Sequence, residues 1–133
     1  MPAITDLKKL LTHMQPVLNK GRYAFVVLAE DVAIDPALLV ATIREPEGLS
    51  AIVPEQLALE LELPIVFTAA WISLTVHSDL TAVGLTAAFA NALADRGISC
   101  NVVAGVHHDH LFVPVDDARD AMDALRALSQ GEM

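Results

Sequence analysis

The sequence predicts an α+β fold of the ferredoxin-like kind, an antiparallel sheet with helices packed on one face. Three observations predict it. Residues 66–130 read in the order strand, helix, strand, strand, helix. The earlier residues read helix, strand, strand, strand, helix and run straight into the first of those strands. The apolar residues switch from a helical to a two-residue period from segment to segment.

The first helix is expected from Thr5 to Leu18, where Leu7, Leu10, Leu11, Met14 and Leu18 make one apolar stripe. Gly21 lies beyond its end. The short apolar run Tyr23 to Ala29 reads as a strand. Ala41–Arg44 and Leu49–Val53 flank a Pro46/Gly48 turn and read as a hairpin. Pro54 suits the first turn of a brief helix, Glu55 suits the positive end of its dipole, and Pro64 stops it. Between Ala29 and Ala41 there is no room for a full helix, so the first half reads as a reduced or permuted copy of the second.

In the second half Ile72, Leu74 and Val76 alternate with Trp71, Ser73, Thr75 and His77, the period of a strand. Ser78 or Asp79 can cap the next helix, whose inward face is Ala82, Leu85, Phe89 and Leu93 and which Gly97 ends. Two strands follow, Ile98–Ala104 and His110–Val115, around a Gly105–Asp109 turn. Asp116 or Asp117 caps a last helix with Ala118, Ala121, Met122, Leu125 and Leu128 inward.

Length and composition bound the function. The chain has 133 residues, 54% hydrophobic and 5% aromatic. That allows one ordinary domain or two very small ones that pack together, here divided as residues 1–65 and 66–133. Seventeen acidic residues against eight basic ones argue against a nucleic-acid or anionic-membrane surface. No run of apolar residues is long enough for a transmembrane helix, and MPAITDLKKLL lacks the order of a secretion signal, so a cytoplasmic location is expected. One cysteine, Cys100, excludes an intramolecular disulfide and a multi-cysteine zinc site; mid-strand with no base beside it, it reads as a buried core thiol.

Alternation also sorts the faces. Ile72, Leu74, Val76, Leu111 and Val113 point to the helices; Trp71, Ser73, Thr75 and His77 share the other face with His110 and Phe112. That face is partly apolar and suits cover by the first half or by another subunit. Four of the five histidines, His77, His107, His108 and His110, gather at one end of this sheet. One reading is a metal site of His77, His108 and His110 with Asp79 or Asp109. The plainer one is a polar hairpin tip, which the lack of any HExxH or cysteine spacing favours; no metal and no cofactor is expected. The segment Ser78–Gly84 offers helix N-terminal N–H groups that suit a carboxylate, although capping alone would account for them. Gly84, read as lying inside the helix, is expected to permit close packing or ligand approach. No GxSxG, P-loop or GxGxxG pattern occurs, and no catalytic residue is assigned.

The segment from His77 to Leu125 resembles the second half of a small bacterial family of ACT-domain proteins. Tyr23–Val32 and Arg44–Ala58 resemble its first half. The motifs that carry the resemblance are Glu45-Pro46-Glu47-Gly48-Leu49, His77 to Leu85, Ile98 to Gly105 and His108 to Pro114. It implies tandem ACT-like, ferredoxin-like βαββαβ units and a non-catalytic regulatory role. The effector it implies is small, an amino acid, bound where two ACT-like units meet. In such domains the loop from first strand to first helix lines the site, which implies His77, Ser78, Asp79, Leu80, Thr81, Ala82, Val83 and Gly84 here, joined by Asn101, Gly105, His108, Asp109 and His110. Where many ACT domains carry D-x-P-G, this chain has Ser78-Asp79-Leu80-Thr81. Two alternatives stand beside this reading: a structural or interaction protein that forms a homo-oligomer, a homodimer or larger, through the Trp71/His110/Phe112 face, and a histidine-based metal hydrolase.

Overall fold

The computed structural model describes residues 6–76 and 80–131. It divides into two compact units, one formed by Met1–Asn19 with Trp71–Met133 and one by Lys20–Ala70. They are called unit 1 and unit 2 below. The segment before Lys20, which comes first in sequence, thus packs with the second half of the chain.

Unit 2 is built from β2 (Tyr23–Leu28), β3 (Ala41–Glu45), β4 (Gly48–Pro54), α2 (Glu55–Glu60) and the first four residues of β5 (Phe67–Leu74). Its strands lie in the order β3-β4-β2-β5, each pair antiparallel. Where a ferredoxin-like unit has its first helix, the chain has only a 3-10 turn over Pro36–Leu38, capped by the Asp35 carboxylate on the Ala37 N–H. The segment was expected to be too short for a helix, and this unit is the reduced one. Ala24, Val26 and Leu28 alternate inward and pack with Ala51, Val53 and Ala58, under Ile34, Leu39 and Leu57. On the other face Val27 and Ile43 are 51% and 57% exposed. The hairpin turn closes with Glu45 opposite Gly48, and the Ser50 hydroxyl donates to the Glu45 carboxylate.

Unit 1 begins with α1 (Leu7–His13), whose N-terminus is capped by the Asp6 carboxylate on the Lys9 N–H. The expected helix to Leu18 stops early. Pro16 has no N–H to continue it, and β1 (Pro16–Leu18) instead pairs antiparallel with Ile72–Leu74. Leu10 and Met14 are buried as the stripe predicts, but Leu18 lies in the strand and is 44% exposed. The second half of β5 is followed by α3 (Leu85–Ala94), β6 (Asn101–Ala104), β7 (Asp109–Pro114) and α4 (Ala118–Ser129). The strand order is β6-β7-β5, with β1 also on β5. Both units therefore repeat one topology: second strand, third, first, fourth. In unit 1 the fourth strand is β1, from the start of the chain.

Two helix starts differ from expectation. α3 begins at Leu85, beyond Ala82, because Gly84 is its N-cap and holds φ at 103°, a value outside the helix. Ser78 and Asp79, the expected caps, lie outside the described residues. A 3-10 turn over Val115–Asp117 precedes α4, and neither Asp116 nor Asp117 makes a side-chain cap bond there. The end of α3 is as expected: Gly97 turns at φ 73°, and the Ile98 N–H reaches back to the Leu93 carbonyl. Arg96 then ties this end to α4 through Asp120, 2.7 Å away. β6 starts at Asn101 rather than the expected Ile98 and ends at Ala104 as expected, and β7 is shifted by one residue from the expected His110–Val115.

The core of unit 1 between sheet and helices is aliphatic around one ring, Phe89. Leu10, Met14, Ile72, Leu74, Phe89, Leu93, Leu111, Val113 and Leu125 are fully buried. Phe89→Ala should therefore lower the unfolding free energy by about 3–5 kcal/mol in urea titrations. Gly84→Ala should cost about 1–3 kcal/mol in the same assay, because alanine must hold positive φ there and its Cβ would lie 2.9 Å from Leu7 Cδ2.

Candidate functional site

The alternation of β5 sets the site. Ile72 and Leu74 turn into the core, so Trp71 and Ser73 stand on the opposite face. The neighbouring strand β7 does the same with Leu111 and Val113 inward, leaving His110 and Phe112 beside them. Trp71 stacks on Phe112 at 6.1 Å between ring centroids, and Phe112 is only 1% exposed. The expected sharing of this face by Trp71, Ser73, His110 and Phe112 holds.

A hydrogen-bond chain runs through it. The Trp71 indole N–H donates to His110 Nδ1 at 3.0 Å. The Ser73 hydroxyl meets the same nitrogen at 3.0 Å. Asn19 Nδ2 donates to Ser73 Oγ at 3.0 Å and to the Trp71 carbonyl at 3.2 Å. The Asn19 backbone N–H reaches that carbonyl too, at 2.9 Å. Asn19 arrives directly after β1, so the pairing of β1 with β5 is what delivers it. Sequence reasoning missed Asn19 as a site residue; its partners lie 52 and 54 positions away, and no local pattern signals that.

The turn before β7 frames the histidines. The Gly105 N–H donates to the His108 carbonyl at 2.9 Å. A Cβ on Gly105 would lie 3.4 Å from His110 Nε2 and 3.1 Å from the His108 carbonyl, so glycine leaves room beside the imidazole. His108 Nδ1 is buried and, among the described residues, has no hydrogen-bond partner. Burial pushes the His110 pKa down, His108 beside it adds to that, and Asp109 opposes it. Burial also pushes the Asp109 carboxyl up, against the pull of both histidines.

Of the expected site residues, the structure brings Gly105, His108, Asp109 and His110 together. Asn101 sits on β6 opposite Phe112 and donates to its carbonyl at 3.4 Å. Leu80, Thr81, Ala82 and Val83 form the approach to α3, with Val83 83% exposed, and Gly84 rests against Leu7. His77, Ser78 and Asp79 lie outside the described residues. Among the described residues no group of three or more His, Cys, Asp or Glu side chains could hold a metal ion. Cys100 is half-buried rather than a core thiol, and burial pushes its pKa up to about 11. A separate hollow of about 690 Å³ lies among α1, α3 and α4 of unit 1, lined by Leu7, Leu11, Ala88, Ala92, Ala124 and Leu128 with Asn91, Asp95 and Arg96. None of the expected site residues that are described lines it.

Two outcomes follow from these ionisations. His110 has a folded pKa below its unfolded value, so its contribution to stability is present above the ordinary histidine pKa of about 6.5 and is lost as pH falls toward the folded value. Asp109 acts in the opposite sense, its contribution fading as pH rises from the ordinary carboxylate range. Chemical denaturation of wild type and His110→Gln between pH 5 and 7.5 should show the variant losing less stability on acidification. The Cys100 thiol should react with iodoacetamide at pH 7.5 much more slowly than a free cysteine, and at the free rate in denaturant.

Comparison with known proteins places this geometry. ACT-domain models match residues 2–70 and 66–127. No curated protein matches the sequence. A protein of unknown function from Vibrio cholerae, described as a possible transport protein, is 43% identical with a TM-score of 0.83, over 93% of this chain and 96% of that one. The regulatory subunit of aspartate kinase from Thermus thermophilus has a TM-score of 0.62 at 12% identity, over 85% of this chain and 95% of its own. Aspartokinase III from E. coli, solved with aspartate and ADP, has a TM-score of 0.60 at 12% identity, over 85% of this chain and 32% of its own. The last two show the fold. With two family models in tandem along it and the matching ferredoxin-like units folded from it, the chain belongs to the ACT-domain family.

Proposed function

We propose that this chain is a non-catalytic regulatory module that binds a small effector, an amino acid, at the turn end of the unit 1 sheet. The observation that carries the reading is the Gly105–His110 corner. It combines room beside an imidazole, a buried unpartnered nitrogen on His108, and a side-chain network that fixes His110. Buried polar atoms without partners are uncommon, and a ligand is one way to supply the missing bond. Family membership supports a regulatory role, and the complex of E. coli aspartokinase III with aspartate and ADP supports an amino acid as the class to test first. The proposal assigns the expected loop residues His77–Gly84 and Asn101 to the same site.

The proposal includes a cytoplasmic location and no nucleic-acid or membrane partner. Its support is a net charge of −9 and, among the described residues, no helix long and apolar enough to cross a membrane. A homodimer is a second reading, favoured by exposed Val27 and Ile43 on the unit 2 sheet rather than by the Trp71/Phe112 face, where Phe112 is already covered.

Thermal unfolding with each of the twenty amino acids tests the first reading. At a hundredfold excess over its Kd, the effector should add about 2.7 kcal/mol of stability. His110→Gln should reduce that gain. No shift with any amino acid, on a sound baseline, overturns it. Sedimentation velocity tests the second: a monomer at all concentrations removes it, and a dimer weakened by Val27→Asp supports it.

A further inference from the structure

Among the described residues, the His110 imidazole is hydrogen-bonded from one side only. Nδ1 faces the Trp71 indole N–H at 3.0 Å, and an indole nitrogen donates but never accepts. Nδ1 must then be the unprotonated nitrogen, and the proton of the neutral ring sits on Nε2. Ser73 can donate to the same nitrogen because its oxygen already accepts from Asn19. Nε2 points the other way, to where a side chain on Gly105 would stand. Among the described residues, the groups that face this ring are Trp71 and Ser73 from β5, Asn19 behind them, Asp109 from β7, and His108 with Gly105 from the turn before it.

We propose that Trp71 is a positioning residue that locks His110 as the neutral Nε2–H tautomer, so that the corner beside Gly105 presents a fixed N–H donor and recognises a ligand through an oxygen acceptor, a carboxylate. The proposal rests on the reading of this corner as an effector site and names the ligand group that it takes. A neutral donor fits a protein of this net charge, since it binds an oxygen without needing a cation among seventeen acidic residues. Protonation at Nδ1 would set two N–H groups against each other, so the Trp71 bond opposes charging of the ring. Burial first and His108 second also lower the basicity of this ring. Glycine at 105 keeps the approach to Nε2 open.

Long-range proton–nitrogen spectra of the full chain labelled in histidine, with His110 assigned through His110→Gln, read the tautomer directly between pH 5 and 8.5. Wild type should show His110 protonated on Nε2, titrating below the ordinary histidine value. Trp71→Phe keeps a ring on Phe112 but removes the N–H; it should give a tautomer mixture and a higher midpoint. Ser73→Ala should keep the Nε2–H form. Sodium acetate, set against sodium chloride at equal ionic strength, should move the His110 Nε2 signal saturably in wild type. It should bind at least threefold more weakly to Trp71→Phe and to Gly105→Ala, with the tautomer unchanged in Gly105→Ala. A wild-type ring protonated on Nδ1, an unchanged tautomer in Trp71→Phe, or a switch in Ser73→Ala overturns the lock. Should Trp71→Phe not fold, the wild-type and Ser73→Ala spectra still decide it. Equal response to acetate and chloride overturns the carboxylate assignment. A locked, acetate-binding His110 in a protein that no amino acid stabilises would overturn the amino-acid reading and leave this one standing.

Discussion

The edge of a strand carries backbone N–H and C=O groups that must be paired, and unit 1 meets that demand from outside its local sequence. The C-terminal half of β5 has β7 as one neighbour, and the three residues Pro16–Leu18 pair with Leu74, Ser73 and Ile72. Gln15 adds its carbonyl to the Thr75 N–H and hydroxyl. Much else in the unit follows. The short return brings α1 against α3 and α4, where Leu10 and Met14 enter the core and Ser129 bonds the Met14 carbonyl at 2.8 Å. It places Leu7 over Gly84, which has no side chain to obstruct it. It also brings Asn19 to the carbonyl of Trp71 and the hydroxyl of Ser73.

Much of the fold was legible because its signals are local. The alternation of Trp71 to Val76 identified both the strand and its faces, and every inward residue proposed from it is buried. The helical spacing of Leu85, Phe89 and Leu93 held, as did that of Ala121, Met122, Leu125 and Leu128. What failed was decided by distant partners or by one dihedral angle. The stripe from Leu7 to Leu18 has helical spacing throughout, but Pro16 and the pairing with Ile72–Leu74 turned its last residues into a strand. The helix after β5 has good caps in sequence at Ser78 and Asp79, yet the positive φ of Gly84 fixes its start at Leu85.

The candidate site divides the same way. His110 and Phe112 could be assigned to the face of Trp71 because the period of two applies to both strands. The closeness of Gly105 to His110 follows from a short turn and was within reach. The tautomer of His110 was not, since it depends on a nitrogen of Trp71 39 positions away. Nor was the role of Asn19, which in sequence is only part of a turn. The hollow among α1, α3 and α4 was equally hidden, because alanines at 88, 92, 124 and 127 look like ordinary helix residues until three helices meet around them.

The use of Pro16–Leu18 as the last strand of unit 1 also orders events during synthesis. Those residues are made before the partners they need, Ile72–Leu74, and the carbonyl of Met14 waits for Ser129. Unit 2 is one continuous stretch, Lys20–Ala70, so all of its own residues are made before Ile72–Leu74. Unit 1 is closed by pairings of very long sequence separation, the kind that form slowly. The sheet of unit 1 is therefore completed by residues made well before their partners, with all of unit 2 lying between them in sequence.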